Sequence, residues 1–325
     1  MTWEISQTKL NRSPRGLDKM NKRNRKLSRI VQIASLVVLL LAAGLTFEAV
    51  HAQETIQISI ERSGRGRPFY ADGRYSRACE TIVVIEGSEY TAYCIEPEVQ
   101  IIPGSHQMLV EQVIDNSSWR SISYIVTWYH PPEDDYSAAE IQGAIWRFLD
   151  VNPSPYGAAI YNEALNKDVV RPGDSLTLTP KNGEASLGET VTLKAKVTDS
   201  EGRPRAGVRI FFSTTAGNLD KTEGITDENG EVTIELTATE LGRAEVKAWT
   251  KGVWVDGYLK SDKNQDLIVV GYTTTTTRLT KKSEITFTTF TIPETPYGTL
   301  GALASLTLAL AILVFSKRKA NFKLN

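Results

Sequence analysis

The sequence predicts a mainly β protein in which an α+β head precedes a β-sandwich, with an apolar segment at each end of the chain. Three observations carry this. Period-two apolar runs recur through 55–95 and again through 175–250, each short and bounded by turn residues. Between them, 137–149 carries the three-to-four apolar spacing of a helix, with a glutamine at the edge of the stripe. Finally, Val31–Leu45 and Gly298–Phe315 are uncharged apolar runs beside basic clusters.

The chain has 325 residues and a formal net charge of −1, unevenly spread. Residues 1–52 hold nine Lys/Arg against three Asp/Glu, and 316–325 hold four basic residues, which leaves −11 for the segment between. An acidic middle segment argues against nucleic acid as a partner. Lys22-Arg23-Asn24-Arg25-Lys26 leads into Val31–Leu45, and Val50-His51-Ala52 offers a small-residue cleavage site, so 1–52 reads as a secretory signal peptide with a long basic n-region. His51, His106 and His130 make no metal spacing with cysteine or with each other, and no cofactor motif is present; Gly64-Arg65-Gly66-Arg67 lacks the strand and downstream acid of a dinucleotide site.

The head is expected over 53–172. Ile56, Ile58 and Ile60 alternate in a first strand, Thr55–Glu61. A loop follows in which Arg62, Arg65, Arg67, Arg74 and Arg77 alternate with Phe69, Tyr70 and Tyr75, either a solvated face or a site for an anionic glycan. Ala78–Ile85 and Tyr90–Ile95 form a hairpin whose arms carry the only two cysteines, Cys79 and Cys94. A type II′ turn at Gly87-Ser88 is favoured, because a type I′ turn forces Glu86 to positive φ; the II′ register puts Cys79 diagonal to Cys94, too far for a disulfide. Met108–Ile114 and Ser117–Tyr129 read as helical, and Asn116-Ser117-Ser118 is a glycosylation sequon. Ser137 with Glu140 forms a capping box for the next helix, and Gln142 sits among Ala138, Ile145, Trp146 and Leu149. An unpaired amide there costs roughly 1–3 kcal/mol, so Gln142 needs partners. A last helix opens at Ser154-Pro155.

Tyr93-Cys94-Ile95 together with Ile141-Gln142-Gly143-Ala144-Ile145-Trp146 resembles the thioester domains of Gram-positive surface adhesins, in which a cysteine after an aromatic residue is paired with a helix often written TQxAIW. Ile141 stands where that family commonly has threonine. The resemblance covers about 56–167 and implies an internal thioester between the Cys94 sulfur and the Gln142 side-chain carbonyl, enclosed by Tyr93, Trp146 and Ile145. It implies a single-use acyl donor, not a turnover enzyme, whose partner is a protein amine or a glycan hydroxyl on a target surface. Glu96 and Glu140 are candidates to move protons. Cys79 lies outside the family pattern and leaves an alternative open, a Cys79–Cys94 disulfide in a non-covalent surface or envelope protein.

The second domain is expected over 173–271, with strands at 175–179, 190–198, 208–213, 232–237 and 244–250 at the spacing of a β-sandwich. Gly207-Val208-Arg209-Ile210-Phe211-Phe212 and Thr226-Asp227-Glu228-Asn229-Gly230-Glu231-Val232 resemble the bacterial Ig-like repeats of invasin-type proteins, which implies a rigid spacer. Threonine-rich 272–297 reads as a stalk, 298–315 as a transmembrane helix and 316–325 as a basic cytoplasmic tail. Ile292-Pro293-Glu294-Thr295-Pro296 resembles a sortase motif, but proline replaces its glycine, so a retained span is expected. The composite is a single-pass membrane protein with an extracellular ectodomain.

Overall fold

The computed structural model describes residues 55–71, 74–151, 154–289 and 306–308. The expected signal peptide, 1–52, lies outside them, as do the sortase-like motif and the basic tail.

The head is a closed six-stranded barrel with helices packed on it. Its first four strands are β1 (Thr55–Ala71), β2 (Arg74–Ile85), β3 (Ser88–Cys94) and β4 (Gly104–Gln112). Three helices follow, α1 (Ser117–Tyr129), α2 (Asp135–Phe148) and α3 (Ala158–Ala164). The chain then leaves to build a sandwich from β5 (Ser175–Thr179), β6 (Asn182–Ser186), β7 (Thr190–Thr198), β8 (Arg209–Thr214), β9 (Asn218–Leu219), β10 (Glu223–Ile225), β11 (Glu231–Thr237) and β12 (Gly242–Val255). It returns to the head as β13 (Gly257–Lys260) and β14 (Leu267–Val269), and ends in the sandwich as β15 (Thr274–Thr288). Strand order is β1-β2-β3-β14-β13-β4 around the barrel, and β10-β8-β12-β15-β6 against β5-β7-β11-β9 in the sandwich.

This topology corrects two expected boundaries. The barrel closes only with β13 and β14, so the head is interrupted by the sandwich and does not end near 172. The threonine-rich stretch is no stalk in its first half: Thr274–Thr288 pairs residue by residue with β12, from Val255↔Thr274 to Gly242↔Phe287, and Ile285 and Phe287 enter the sandwich core. Threonine is β-branched, so a pleated, half-buried strand suits it as well as a stalk does.

The expected transmembrane helix is also corrected. Among the described residues no helix is long and apolar enough to cross a membrane. The longest described helix, α2, has 14 residues, about 21 Å against the roughly 30 Å of a bilayer core. Of 298–315 only 306–308 are described.

Two local readings also change. Residues 108–112 lie in β4 rather than a helix, pairing with β1 on one side and β13 on the other; His106, Met108 and Val110 share a face in period two, which a short apolar run does not distinguish from a helical turn. The expected arginine-rich loop is mostly strand, because β1 runs on to Ala71 with register shifts at 60/62 and 63/66. Close approach explains its glycines: a Cβ on Gly66 would lie 2.2 Å from the Cys79 Cβ, and one on Gly64 2.4 Å from the Glu80 Cγ.

The apolar cluster of the sandwich alternates as expected, with Leu193, Ala195 and Val197 of β7 beside Ile234 and Leu236 of β11, and buried Thr226, Thr250 and Ser283 donate their hydroxyls to main-chain carbonyls. Asp227 Oδ1 accepts from the N–H of Asn229 and of Glu231, so the Asp-Glu-Asn-Gly stretch is a turn closed by its own carboxylate. Head and sandwich meet along α1 and β12. Buried Ser123 and Thr127 of α1 accept from the N–H of Val255 (3.0 Å) and Val253 (2.7 Å), and Trp128 packs on Phe211 of β8.

Candidate functional site: the Cys94–Gln142 pair

Helix α2 starts earlier than expected. Asp134, not Ser137, is the N-cap, with Ser137 at N3 completing the capping box. Glu140 is thereby freed from the cap and accepts instead from the Gly157 N–H at 2.9 Å, which ties α2 to the start of α3. Its carboxylate therefore serves the fold rather than proton transfer. Gly143 lets that approach happen, since a Cβ there would lie 2.6 Å from the Tyr156 carbonyl oxygen.

Gln142 is fully buried, at 0 % exposure, where two apolar clusters meet. Ala139 and Trp146 of the same helix join the barrel interior with Cys94 and Phe69, while Ile141 and Ile145 join Tyr93 and the α1 side chains. Its partners come from one residue. Gln142 Oε1 accepts from the Cys94 N–H at 2.9 Å, and Gln142 Nε2 donates to the Cys94 carbonyl at 2.8 Å. Cys94 is the last residue of β3, opposite Leu267 of β14, and gives its N–H to the helix.

The hairpin register differs from the favoured one. Ile85 pairs with Ser88 and Glu80 with Tyr93, and Glu86 (φ 51) and Gly87 (φ 81) form the turn, which is the type I′ arrangement. A turn at Gly87-Ser88 would set Glu86 directly against Glu89, two like charges across a strand pair; the observed register gives Glu89 to Val84 instead. Continued one step, it sets Cys79 opposite Cys94 rather than diagonal to it. Both are buried free thiols.

The electrostatics disfavour a thiolate. Burial pushes the Cys94 thiol well above its ordinary range, the neighbouring Cys79 adds to this, and a hydrogen bond from Thr81 Oγ1, 3.7 Å from the sulfur, opposes it. Burial likewise raises Cys79, against the pull of Arg77. Tyr93 is raised by burial and by Glu80, and its hydroxyl meets His130 Nδ1 at 3.0 Å; burial and then Lys251 push His130 down, so the neutral ring is the favoured partner.

Of the residues expected around the pair, Tyr93 and Ile145 pack on the helix side and Trp146 on the barrel side, all buried. Thr81, Glu80 and Gln265 were missed by the sequence reading. Thr81 is two residues from Cys79 on one strand face, a legible signal; Gln265 arrives from beyond the sandwich, and no local pattern points to it. Asn116 is exposed and caps α1 through its side chain, accepting from the Trp119 N–H at 3.0 Å. Among the described residues no group of three metal-ligating side chains occurs.

The class these features define is a β-barrel head with a buried cysteine–glutamine pair, carrying an Ig-like sandwich. Residues 174–254 match the family model for the bacterial Ig-like domain (group 1). Over 63 residues, 19 % of the chain, it is 38 % identical to the inverse autotransporter adhesin YeeJ of Escherichia coli, and it spans 3 % of that relative's length. Among solved structures, the thioester domain of the TIE86 protein of Enterococcus faecium aligns over 74 % of this chain and 98 % of its own, at 14 % identity and a TM-score of 0.31. A C-terminal fragment of intimin, in complex with the intimin-binding domain of its translocated receptor, aligns over 36 % of this chain and 33 % of its own, at 17 % identity and a TM-score of 0.21. Likenesses this weak carry no argument about the head.

Proposed function

We propose that the protein is a cell-surface adhesin whose head forms an internal thioester between Cys94 and Gln142 and transfers that acyl group to a nucleophile on a target surface. The single observation that carries the reading is the clamping of the Gln142 amide, itself fully buried, on the main chain of Cys94. The adhesin class is supported by the Ig-like match and the adhesin relative.

The geometry suits the chemistry. Cys94 Sγ attacks Gln142 Cδ, the C–N bond breaks, and ammonia leaves with the thiol proton. Two hydrogen bonds hold the amide on the backbone of the residue that carries the sulfur, which replaces a bimolecular encounter by a fixed one. The Cys94 N–H already donates to Oε1, the oxygen on which negative charge develops during attack, so it serves as an oxyanion donor. A thiolate is disfavoured here, whereas the product thioester is neutral and suited to an apolar enclosure. In the transfer step an amine or hydroxyl attacks Cδ, the C–S bond breaks, and the proton goes to the sulfur.

A second reading is favoured by the hairpin register, which faces Cys79 toward Cys94 as a structural disulfide requires. Intact mass of the unreduced protein separates the two. The thioester predicts a deficit of one ammonia, which methylamine converts into an excess of one CH2 by adding across the bond to label Gln142, and which is abolished by Cys94→Ala or Gln142→Ala but not by Cys79→Ala. A deficit of two hydrogens, reversed by reductant and indifferent to Gln142→Ala, would overturn the thioester and establish the disulfide.

A further inference from the structure

Cys94 forms part of the wall of a cleft of about 830 Å³ that also takes in Tyr75 and Arg77 of β2, Glu98 and Gln100 of the segment after β3, and Gln265. Its volume is in the range of small-ligand sites, about 300–1,000 Å³. Gln265 is 6 % exposed; its Nε2 donates to the Val99 carbonyl, which fixes the orientation of the amide, and its buried Oε1 has no partner. Gln265 lines the cleft, and its enclosed, unpaired Oε1 calls for a donor that a ligand in the cleft can supply after a small shift of the side chain.

The rest of the lining says what kind of donor. Arg77 is held in place by the Gly66 carbonyl at 3.1 Å, and Glu98 supplies the opposite charge, so the walls offer one cation and one carboxylate. That balance favours a neutral ligand; an ammonium would meet Arg77. Tyr75 is 85 % exposed and edge-on to Tyr70 at 4.9 Å, leaving an aromatic surface unused by the fold. An aromatic ring, amides and paired charges around an open acceptor suit a polyhydroxy ring that stacks through its C–H face and donates through its hydroxyls.

We infer that this cleft is a binding site for a short neutral oligosaccharide. The inference rests on the proposed thioester in one respect only, that a hydroxyl of the bound sugar is the acyl acceptor. In that step the hydroxyl oxygen bonds to Gln142 Cδ, the C–S bond breaks, the hydroxyl proton passes to the Cys94 sulfur, and a sugar ester of the former glutamine remains.

The test uses the Cys94→Ala protein, in which no thioester forms, titrated calorimetrically with maltotriose, cellotriose and chitotriose at millimolar concentration, with n-butylamine as the amine probe. Binding of at least one trisaccharide is expected, weakened about tenfold or more by Tyr75→Ala and by Gln265→Leu. Tyr75 is exposed, so its variant keeps the fold if Gln265→Leu does not. No saccharide binding, binding indifferent to both substitutions, or binding of the amine alone overturns the inference. Sugar binding by Cys94→Ala without an ammonia deficit in the unmodified protein would sink the thioester and leave the cleft standing; the deficit without sugar binding would do the reverse.

Discussion

The barrel is antiparallel throughout and the sandwich nearly so, with one parallel pair, β15 beside β6, yet their interiors differ in kind. The buried polar side chains of the sandwich are tied to its own backbone or to each other: Thr226, Thr250 and Ser283 donate to main-chain carbonyls, and Arg205 pairs with buried Asp174, while Lys194–Glu231 and Arg209–Glu223 are more exposed pairs. The barrel interior holds two cysteines and a threonine, closed by a glutamine. Hydroxyls bonded to the main chain stabilise the fold and offer nothing that can react. Buried polar groups cost desolvation; in the head the Gln142 amide is paired through both its oxygen and its nitrogen while Trp146 Nε1 and Gln265 Oε1 have no partner, so the Cys94–Gln142 clamp is a specific arrangement rather than a general property of this core.

The comparison also separates the two in how they are assembled, and the largest expected effect follows from that. Residues 175–270 lack β15, which pairs along the whole of β12 and sends Ile285 and Phe287 into the core, and they include β13 and β14, which belong to the barrel. This fragment is expected not to melt cooperatively. Joining 174–255 to 274–289 by a short turn restores every sandwich strand, and that protein is expected to give one cooperative all-β transition by circular dichroism. Cooperative melting of 175–270 would show that β15 is dispensable and that the two regions are not interleaved in folding.

Next in size is Gln142→Ala, measured in a Cys94→Ala background so that no covalent bond contributes. The substitution leaves the Cys94 N–H without its partner in a buried site and removes a second hydrogen bond to its carbonyl, at an expected loss of about 2–4 kcal/mol. Chemical denaturation reads this directly. A change within about 0.5 kcal/mol, as at an ordinary surface position, would mean that the clamp does not hold the strand to the helix.

The contrast between the regions also explains what was legible. The five expected sandwich strands are period-two runs joined by turns of their own sequence, as with Val232, Ile234 and Leu236 after Asp227–Gly230, so local pattern suffices for them, whereas β6, β9 and β10 are too short or too polar to leave such a pattern. Cys94 and Gln142 were legible as a pair through their neighbours, and Gln142 through the rule that a buried amide must be paired. The barrel's closure was not, because β13 and β14 return after the sandwich, and strand pairing at that separation leaves no local trace. The hairpin turn was misread because weighing the positive φ of Glu86 alone neglected the Glu86–Glu89 repulsion in the competing register. The threonine run misled because its composition suits both a stalk and a strand, and only its alternation against β12 decides.

A third, intermediate effect concerns the seam. Trp128 of α1 packs on Phe211 at 5.3 Å, Phe211 stacks on Trp249 at 4.5 Å, and the Arg209 guanidinium lies over the Trp128 ring at 5.8 Å. Removing Trp128 is expected to lower stability by about 1.5–3 kcal/mol and to split one thermal transition into two, since it loosens the contact between regions without entering either core. Scanning calorimetry of Trp128→Ala showing a single undivided transition would mean that the other seam contacts, the hydrogen bonds of Ser123 and Thr127 to β12 among them, suffice to couple the two regions.

The smallest expected effect is a pH dependence confined to the head. Asp115 stands before α1, and its carboxylate accepts from Arg120 Nε at 2.8 Å and from Arg171 Nη1 at 2.8 Å, joining the start of α1 to the strand-like segment after α3. Burial alone would raise this carboxyl, but the hydrogen bonds and charges of the two arginines outweigh it and hold it well below the usual carboxylate range. A folded-state value below the unfolded one, about 3.9, contributes stability that is fully present above that unfolded value and is lost as pH falls through the folded one. With the side chain 40 % exposed, solvent screening reduces the contribution to about 0.5–1 kcal/mol. Asp115→Asn is therefore expected to weaken the head slightly at neutral pH and to flatten its loss of stability below about pH 4, while the rebuilt sandwich, which lacks this carboxylate, keeps its own acid profile. Parallel acid profiles for the unmodified protein and Asp115→Asn would show that the arginines serve other partners, Asp168 first among them, since it also meets Arg171 at 3.2 Å.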